Sequence, residues 1–304
     1  MKFLLIAPPG MGKSTLVETV VERLQWTQSI SCRGIVSKAI LNEAGGLIGL
    51  SAQNSDGDSR TFMIQSDSSS LGRLPAQCLV NIPVIDHFIV DELQRALTSV
   101  ENSLVYIDDI GAPQLQSRKF FETVRLLFRT QSHVLASAVS DNLPEIVELK
   151  RYPNVCVVEI TKENRNALPP ILTSAFNNSH FFEGLDSQQQ RTVFALLNRY
   201  LCQTEYISAE KLFSDSIGSV AQKKVRQVKQ NGLTSEYRVG GKERDHLITW
   251  RNGTFNCDCD LHHGVGKYTG YPQTCSHEIS ILISLAAASE PFPGIATSSA
   301  LPVC

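Results

Sequence analysis

The sequence predicts an α/β fold in its first half and a smaller α+β region toward its C-terminus. Three observations point there. Short, nearly all-apolar runs alternate with segments of helical period as far as residue 161, the pattern of a parallel sheet covered by helices on both faces. A glycine-rich loop joins the first apolar run to the first helical segment. Past residue 174 the alternation stops, and short turn-punctuated strands lead into a cluster of cysteines and histidines.

The bulk properties set limits on function. A chain of 304 residues is long enough for one large domain or two modest ones. A composition of 42% hydrophobic and 19% charged residues excludes disorder as the main state. The net charge of -2 means that the chain as a whole is no polycation, so nucleic-acid binding would need a local basic patch. No apolar run is long enough to span a bilayer. The opening MKFLLIAPPGMGKS loses its apolar character after about five residues, too few for the core of a signal peptide. The expectation is a cytoplasmic protein with no membrane partner.

The elements follow in order. Residues 3–7 form a buried strand, and Leu16, Val17, Val20, Val21 and Leu24 recur at helical spacing over 14–24. Residues 34–40 and LIGLS flank the turn NEAGG as a hairpin; 53–60 are turn-rich, and 61–80 form a second hairpin or excursion. Helices are expected over 85–100, 120–130 and 143–152, and strands over 103–111, 133–140 and 155–161. Beyond these come a helix over 186–201, one or two helices over 209–230, antiparallel strands over 236–241, 246–253 and 254–259, and a helix over 275–289. The expected organisation is a first domain over 1–174, a helical connector over 175–208, a compact module over 209–290 and a flexible tail over 291–304.

The loop Ala7-Pro8-Pro9-Gly10-Met11-Gly12-Lys13-Ser14-Thr15 fits the Walker A phosphate cradle, with Ala7 in the slot usually held by glycine. Its glycines let backbone N–H groups turn in around phosphates. Lys13 would reach the β- and γ-phosphates, and the Ser14 hydroxyl would bind Mg²⁺. The helix that starts there points its positive end at the anion. Asp108, at the end of the apolar strand LVYI, fits the second Mg²⁺ carboxylate of such sites. Two roles stand open for Asp109: a base for the attacking water, or a cap on the turn before Gly111.

The order of Walker A, RGIVSKAI, Gly72-Arg73, YIDDIGAPQLQSRKFFETVRLLF, HVLASAVS and NVCVVEITKENRNALP resembles the thermophilic and cancer-related nucleoside-triphosphatase family of P-loop proteins. The family's IDEIGKMEL segment is similar to Ile107 through Leu115, and its T-x-E-N-R-D segment to Thr161 through Asn166. The resemblance covers residues 1–174. It implies a RecA/AAA-like P-loop fold and Mg²⁺-dependent hydrolysis of ATP, GTP or related triphosphates with loose base preference. Asp109 replaces the family's Glu, and Ala112-Pro113-Gln114 replaces its Lys-Met-Glu. Arg73 and Arg165 are candidates for stabilising γ-phosphate charge, against a plain surface role for each.

The second constellation is FNCDCDLHHGVGKYTGYPQTCSHEI, residues 255–279. On a strand, Cys257 and Cys259 face one side. Cys275 and His277 follow at the start of a helix, completing the Cys₃His set of a closed structural zinc site. His262 and His263 are rival ligands that a four-coordinate ion does not need. The alternative is three reduced buried cysteines, against which stand the neighbouring Asp258 and Asp260. With Tyr237, Val239 and Trp250 before it and Ile279, Ile283 and Leu285 after, the pattern resembles the SWIM zinc finger over 209–288. That resemblance implies binding of DNA or of a protein partner. Lys223, Lys224, Arg226 and Lys229 cluster on an expected helix, with Lys242, Arg244, Arg251 and Lys267 nearby, so the 223–251 region is a candidate DNA or RNA contact or simply a solvated face.

The function expected from the sequence is triphosphate hydrolysis coupled to a zinc module that binds nucleic acid or protein. The alternative is a nucleotide-binding adaptor that hydrolyses weakly or not at all.

Overall fold

The computed structural model describes residues 1–27, 30–65, 78–98, 103–130, 132–140, 143–152, 154–162, 164–186, 188–194, 209–231, 234–241, 243–251, 254–259 and 275–288. They divide into two compact units, Met1–Lys162 and Glu163–Cys304.

The first unit opens with β1 (Lys2–Ala7), buried along its whole length. Helix α1 (Lys13–Trp26) buries Leu16, Val17, Val20, Val21 and Leu24, the stripe that its 3.6-residue period dictates. Strands β2 (Ser31–Leu41) and β3 (Leu47–Asn54) form the expected hairpin, and β4 (Ser59–Gln65) and β5 (Cys78–Val80) continue it. Then come α2 (Ile82–Val84), capped by the Asn81 side chain, a π-helical turn (Ile85–Ile89), and α3 (Val90–Leu97). Strand β6 (Ser103–Ile110) leads through α4 (Ala112–Leu115) to α5 (Arg118–Leu127). The Ser117 hydroxyl caps α5 by accepting from Phe120 N at 3.0 Å. Strand β7 (His133–Val139), α6 (Pro144–Lys150) and β8 (Val155–Glu159) close the unit.

Its eight strands lie in the order β5-β4-β3-β2-β6-β7-β1-β8. Strands β2, β6, β7, β1 and β8 are mutually parallel. The pairs β2–β3, β3–β4 and β4–β5 are antiparallel, so the sheet is mixed and not parallel throughout. The turns after β2 and β3 are too short for a crossover, which leaves antiparallel pairing as the only option. In the centre, β7 separates the strand that feeds the glycine loop from the strand that carries Asp108. One apolar core cluster joins these strands to α3, α5 and α6 through residues such as Leu4, Leu93, Val105, Phe120 and Leu149.

The second unit contains α7 (Leu168–Asn177), α8 (Ser179–Glu183) and α9 (Ala209–Ala221). Strands β9 (Val225–Asn231), β10 (Thr234–Gly240), β11 (Asp245–Arg251) and β12 (Thr254–Cys257) follow, and then α10 (Ser276–Ala287). The strands form an antiparallel sheet in the order β12-β11-β10-β9. The expected helix over 209–230 is corrected here: α9 ends at Ala221, and Val225–Asn231 is an edge strand. Lys223 has φ 53, outside any helix, and the Lys, Arg and Gln of this stretch pair with β10 despite their helical preference. Tyr237, Val239, Ile248 and Trp250 from the sheet and Ile281 and Leu285 from α10 build the core of this unit around three cysteines.

Candidate functional sites

Between Ala7 and Lys13 the backbone turns back twice. Gly10 has φ +77 and Gly12 φ +94, the left-handed region that only glycine enters freely. A Cβ at either would meet no atom within 4 Å, so backbone conformation and not space selects glycine here. Pro9, Gly10, Gly12 and Thr15 are exposed, and Met11 and Ser14 are half-buried, so the loop is open to a ligand at the N-terminal end of α1. Lys13 is 7% exposed. Its ammonium donates to the Ala7 carbonyl at 3.2 Å and lies 3.8 Å from Asp109 Oδ1. The sequence placed both residues in one site, and the structure brings them together.

Asp108 and Asp109 sit at a bulge. Ile107 pairs with Ala136 and Ile110 with Ala138, so two residues of β6 face the single Ser137 of β7; the Asp108–Asp109 peptide bond is cis. Bulges of this kind re-aim side chains beside active sites. Asp108 is 2% exposed. Its Oδ1 accepts from Ser137 Oγ at 2.6 Å and its Oδ2 from Ser37 N at 3.4 Å. Burial pushes the Asp108 carboxyl up to about 6, against hydrogen bonds from Ser137 and Ser14. Burial also raises Asp109, and the Lys13 charge opposes it. Ser14 and Asp108 supply a hydroxyl and a carboxylate at one site, as a hard divalent cation requires. Ser37 and Ser137 were not singled out by sequence reasoning, and Gln114 was noted only as a departure from the family's Lys-Met-Glu. For Ser137 the one available signal was a hydroxyl inside the apolar run HVLASAV.

Arg73, the other arginine proposed for phosphate, lies outside the described residues, as do His262 and His263. Arg165 is exposed in the turn that precedes α7 in the second unit.

In that unit, Cys257 ends β12, Cys259 follows two residues on, and Cys275 and His277 straddle the start of α10. One ligand atom from each lies within 4.8 Å of all the others. The three cysteines are buried and His277 is half-buried. Cys257 Sγ stands 3.7 Å from His277 Nδ1. A tetrahedron with bonds of about 2.3 Å has edges of roughly 3.8 Å, so four soft donors at this spacing fit one zinc ion. Hydrogen bonding with Cys259 pushes the Cys257 thiol up to about 12, and contacts with Cys257 and Cys259 raise Cys275 further. Thiols crowded in this way cannot all ionise without a cation among them.

Of the basic region, Lys223 and Lys224 occupy the turn after α9, and Arg226 and Lys229 lie on β9, every one exposed. They lie on a strand edge and not on a helix face. Arg244 pairs with Asp258 at 3.6 Å, and Arg251 is exposed at the end of β11. Lys242 and Lys267 lie outside the described residues. Among the described residues no helix is long and apolar enough to cross a membrane.

Comparison with known proteins adds three findings. A family model described as NTPase matches residues 2–173. The Nucleoside-triphosphatase THEP1 of Thermotoga sp. (strain RQ2) is 30% identical over 168 residues, which are 55% of this chain and 91% of that protein. The Cancer-related nucleoside-triphosphatase homolog of Mus musculus is 25% identical over 190 residues, 58% of this chain and 96% of the relative. Among solved structures, THEP1 from the hyperthermophile Aquifex aeolicus covers 57% of this chain and 96% of its own, with 25% identity and a TM-score of 0.48.

Proposed function

The chain belongs to the NTPase family through residues 2–173, and from that premise we propose that it hydrolyses nucleoside triphosphates at the site formed by Lys13, Asp108 and Asp109. The observation that carries this is the approach of the loop lysine to Asp109, beside the buried Asp108, whose carboxylate accepts from Ser137 and Ser37. The N–H groups of residues 9–15 would cradle the phosphates, and Lys13 would exchange Asp109 for a phosphate oxygen. Ser14 and Asp108 would hold Mg²⁺, which supplies charge neutralisation to the phosphates when bound. Asp109 would take the proton of the attacking water. Arg73 and Arg165 remain candidates for γ-phosphate charge. The position of β7 between the loop strand and the Asp108 strand supports the RecA/AAA-like reading of the fold. Phosphate release from Mg²⁺ and ATP or GTP, compared with a Lys13→Ala control, tests the proposal; equal rates overturn it.

The same proposal gives residues 209–290 to a zinc module of SWIM type, held by Cys257, Cys259, Cys275 and His277, after the P-loop domain of 1–174 and a connector over 175–208. Zinc there is structural and contributes folding free energy. Metal analysis of protein purified without added zinc tests this; no zinc bound per chain overturns it. The module would bind DNA or RNA through the exposed residues of 223–251, or a protein partner. The exposed Arg226 and Lys229 on β9, with Lys223 and Lys224 just before it, support the nucleic-acid alternative, and binding that falls steeply with salt is its expected signature. Reduced cysteines suit a cytoplasmic location.

The adaptor alternative, nucleotide binding with little turnover, is favoured by one feature. The Asp109 carboxylate is a methylene shorter than Glu and is engaged by Lys13. Measurable nucleotide affinity without phosphate release would select it.

A further inference from the structure

Gln114 places a buried amide on α4, just after the aspartates. It is 2% exposed, yet its Oε1 has no hydrogen-bond partner among the described residues. A buried unpaired carbonyl is unfavourable, so such an atom asks for a donor that the chain itself does not supply. The orientation of the amide is fixed by its neighbours. Ser37 Oγ donates its one hydrogen to the Asp108 carbonyl at 2.7 Å, so it can only accept from Gln114, whose Nε2 lies 3.5 Å away. That contact turns Oε1 the other way, toward Gly111.

Asp109 brings a second acceptor. Its Oδ1 is held by the 3.8 Å ion pair to Lys13, and its other oxygen, Oδ2, lies on the Gly111 side. A Cβ built on Gly111 would lie 3.5 Å from Gln114 Oε1 and 3.7 Å from Asp109 Oδ2. Two acceptor oxygens side by side, next to the loop lysine, are the complement of a molecule with two O–H donors.

We infer that Gln114 and Asp109 together hold the attacking water, each accepting one of its hydrogens, with Gln114 acting as a catalytic residue that orients it. The inference rests on the proposed role of Asp109. As the water oxygen bonds to the γ-phosphorus, the bond from that phosphorus to the β,γ-bridging oxygen breaks and its electron pair leaves with the diphosphate. The proton on the Asp109 side passes to that carboxylate. Gln114 exchanges no proton; it fixes the second hydrogen, and so the direction of the lone pair. Misplacement of a nucleophile by an ångström costs on the order of 100-fold in rate.

The experiment measures kcat, KM and the affinity for a non-hydrolysable triphosphate in Gln114→Ala, Gln114→Glu, Asp109→Asn and the Gln114→Ala/Asp109→Asn pair. Gln114→Ala is expected to lose on the order of 100-fold in kcat with nucleotide affinity unchanged. The pair is expected to be no slower than Asp109→Asn alone, because both residues hold one water. Gln114→Glu keeps an acceptor and should restore turnover at neutral pH, then lose it as acid protonates the new carboxyl. Wild-type kcat in Gln114→Ala, or losses that multiply in the pair, overturn the inference. Wild-type kcat in Asp109→Asn instead removes the base assignment and leaves the Gln114 measurement to stand by itself. If Gln114→Ala does not fold, Gly111→Ala provides the same test: its methyl meets only ordinary contacts yet lies against both acceptors. Full turnover in that variant counts against the inference.

Discussion

His246 lays its ring on that of His277, with centroids 4.1 Å apart and planes 29° apart. The stack is anchored. His246 Nδ1 stands 3.0 Å from Asp258 Oδ1, which can only accept, so the ring presents N–H there. Asp258 lies between Cys257 and Cys259, and its Oδ1 also accepts from Leu247 N at 3.2 Å. One carboxylate thus ties the cysteine pair to β11 and to the ring that packs on the histidine.

Outer partners of this sort orient metal ligands, and their loss costs about 10–100-fold in metal affinity. In the zinc-loaded protein, His246→Ala is expected to raise zinc release to a chelator by a factor in that range, and His246→Phe, which keeps the stack, by less. Release at the wild-type rate in His246→Ala would show that His277 holds its orientation unaided.

Asp108 supplies a pH prediction. A carboxyl raised from 3.8 to about 6 in the folded protein binds more protons than in the unfolded chain across that window. Stability is therefore highest below the unfolded value, falls as pH rises toward 6, and stays lowered by at most about 3 kcal/mol above it. Asp108→Asn removes the ionisation. It is expected to be inactive, more heat-stable than wild type at pH 7, and less sensitive to pH between 4 and 6 in thermal melts. A variant less stable than wild type at pH 7 contradicts the burial account.

Ser137 feeds the same carboxylate. Its 2.6 Å hydrogen bond stabilises the charged form of Asp108, and bonds to charged groups contribute about 1.5–3 kcal/mol. Ser137→Ala should require more Mg²⁺ for half-maximal hydrolysis, by about tenfold or more, while Ser137→Thr, which retains the hydroxyl, should lose less. An unchanged Mg²⁺ requirement would remove Ser137 from the site.

These residues show what the sequence could and could not carry. The glycine loop, Lys13, the paired aspartates and the Cys₃His spacing are local, and each was legible because its chemistry demands a fixed residue order. The central strands β1, β6 and β7 were legible because burial on both faces leaves an apolar run. Ser37 and Ser137 reach Asp108 from β2 and β7, and only the order of the sheet brings them there; Gln114 is near in sequence, but its role shows only in its contact with Ser37. The strand Val225–Asn231 was hidden for the converse reason: VRQVKQN has good helix formers and no buried face, and its structure comes from pairing with β10.

Gly34 offers the sharpest test of the packing that positions the site. It lies on β2 opposite Tyr106 of β6, two residues before Asp108. A Cβ there would stand 1.9 Å from the Tyr106 carbonyl oxygen and 2.8 Å from its carbonyl carbon. Both are backbone atoms of a central strand, so no side-chain rotation relieves the overlap; β2 and β6 would have to separate. Their separation would draw Ser37 away from Asp108. Overpacking a well-ordered core costs about 1–3 kcal/mol and occasionally more, and a backbone clash of this depth belongs at or above the upper end. Gly34→Ala is expected to lower the unfolding free energy, read from a denaturant titration, by at least that amount and to reduce kcat even where the protein remains folded. A variant with wild-type stability and turnover would mean that β2 and β6 do not approach so closely at Gly34.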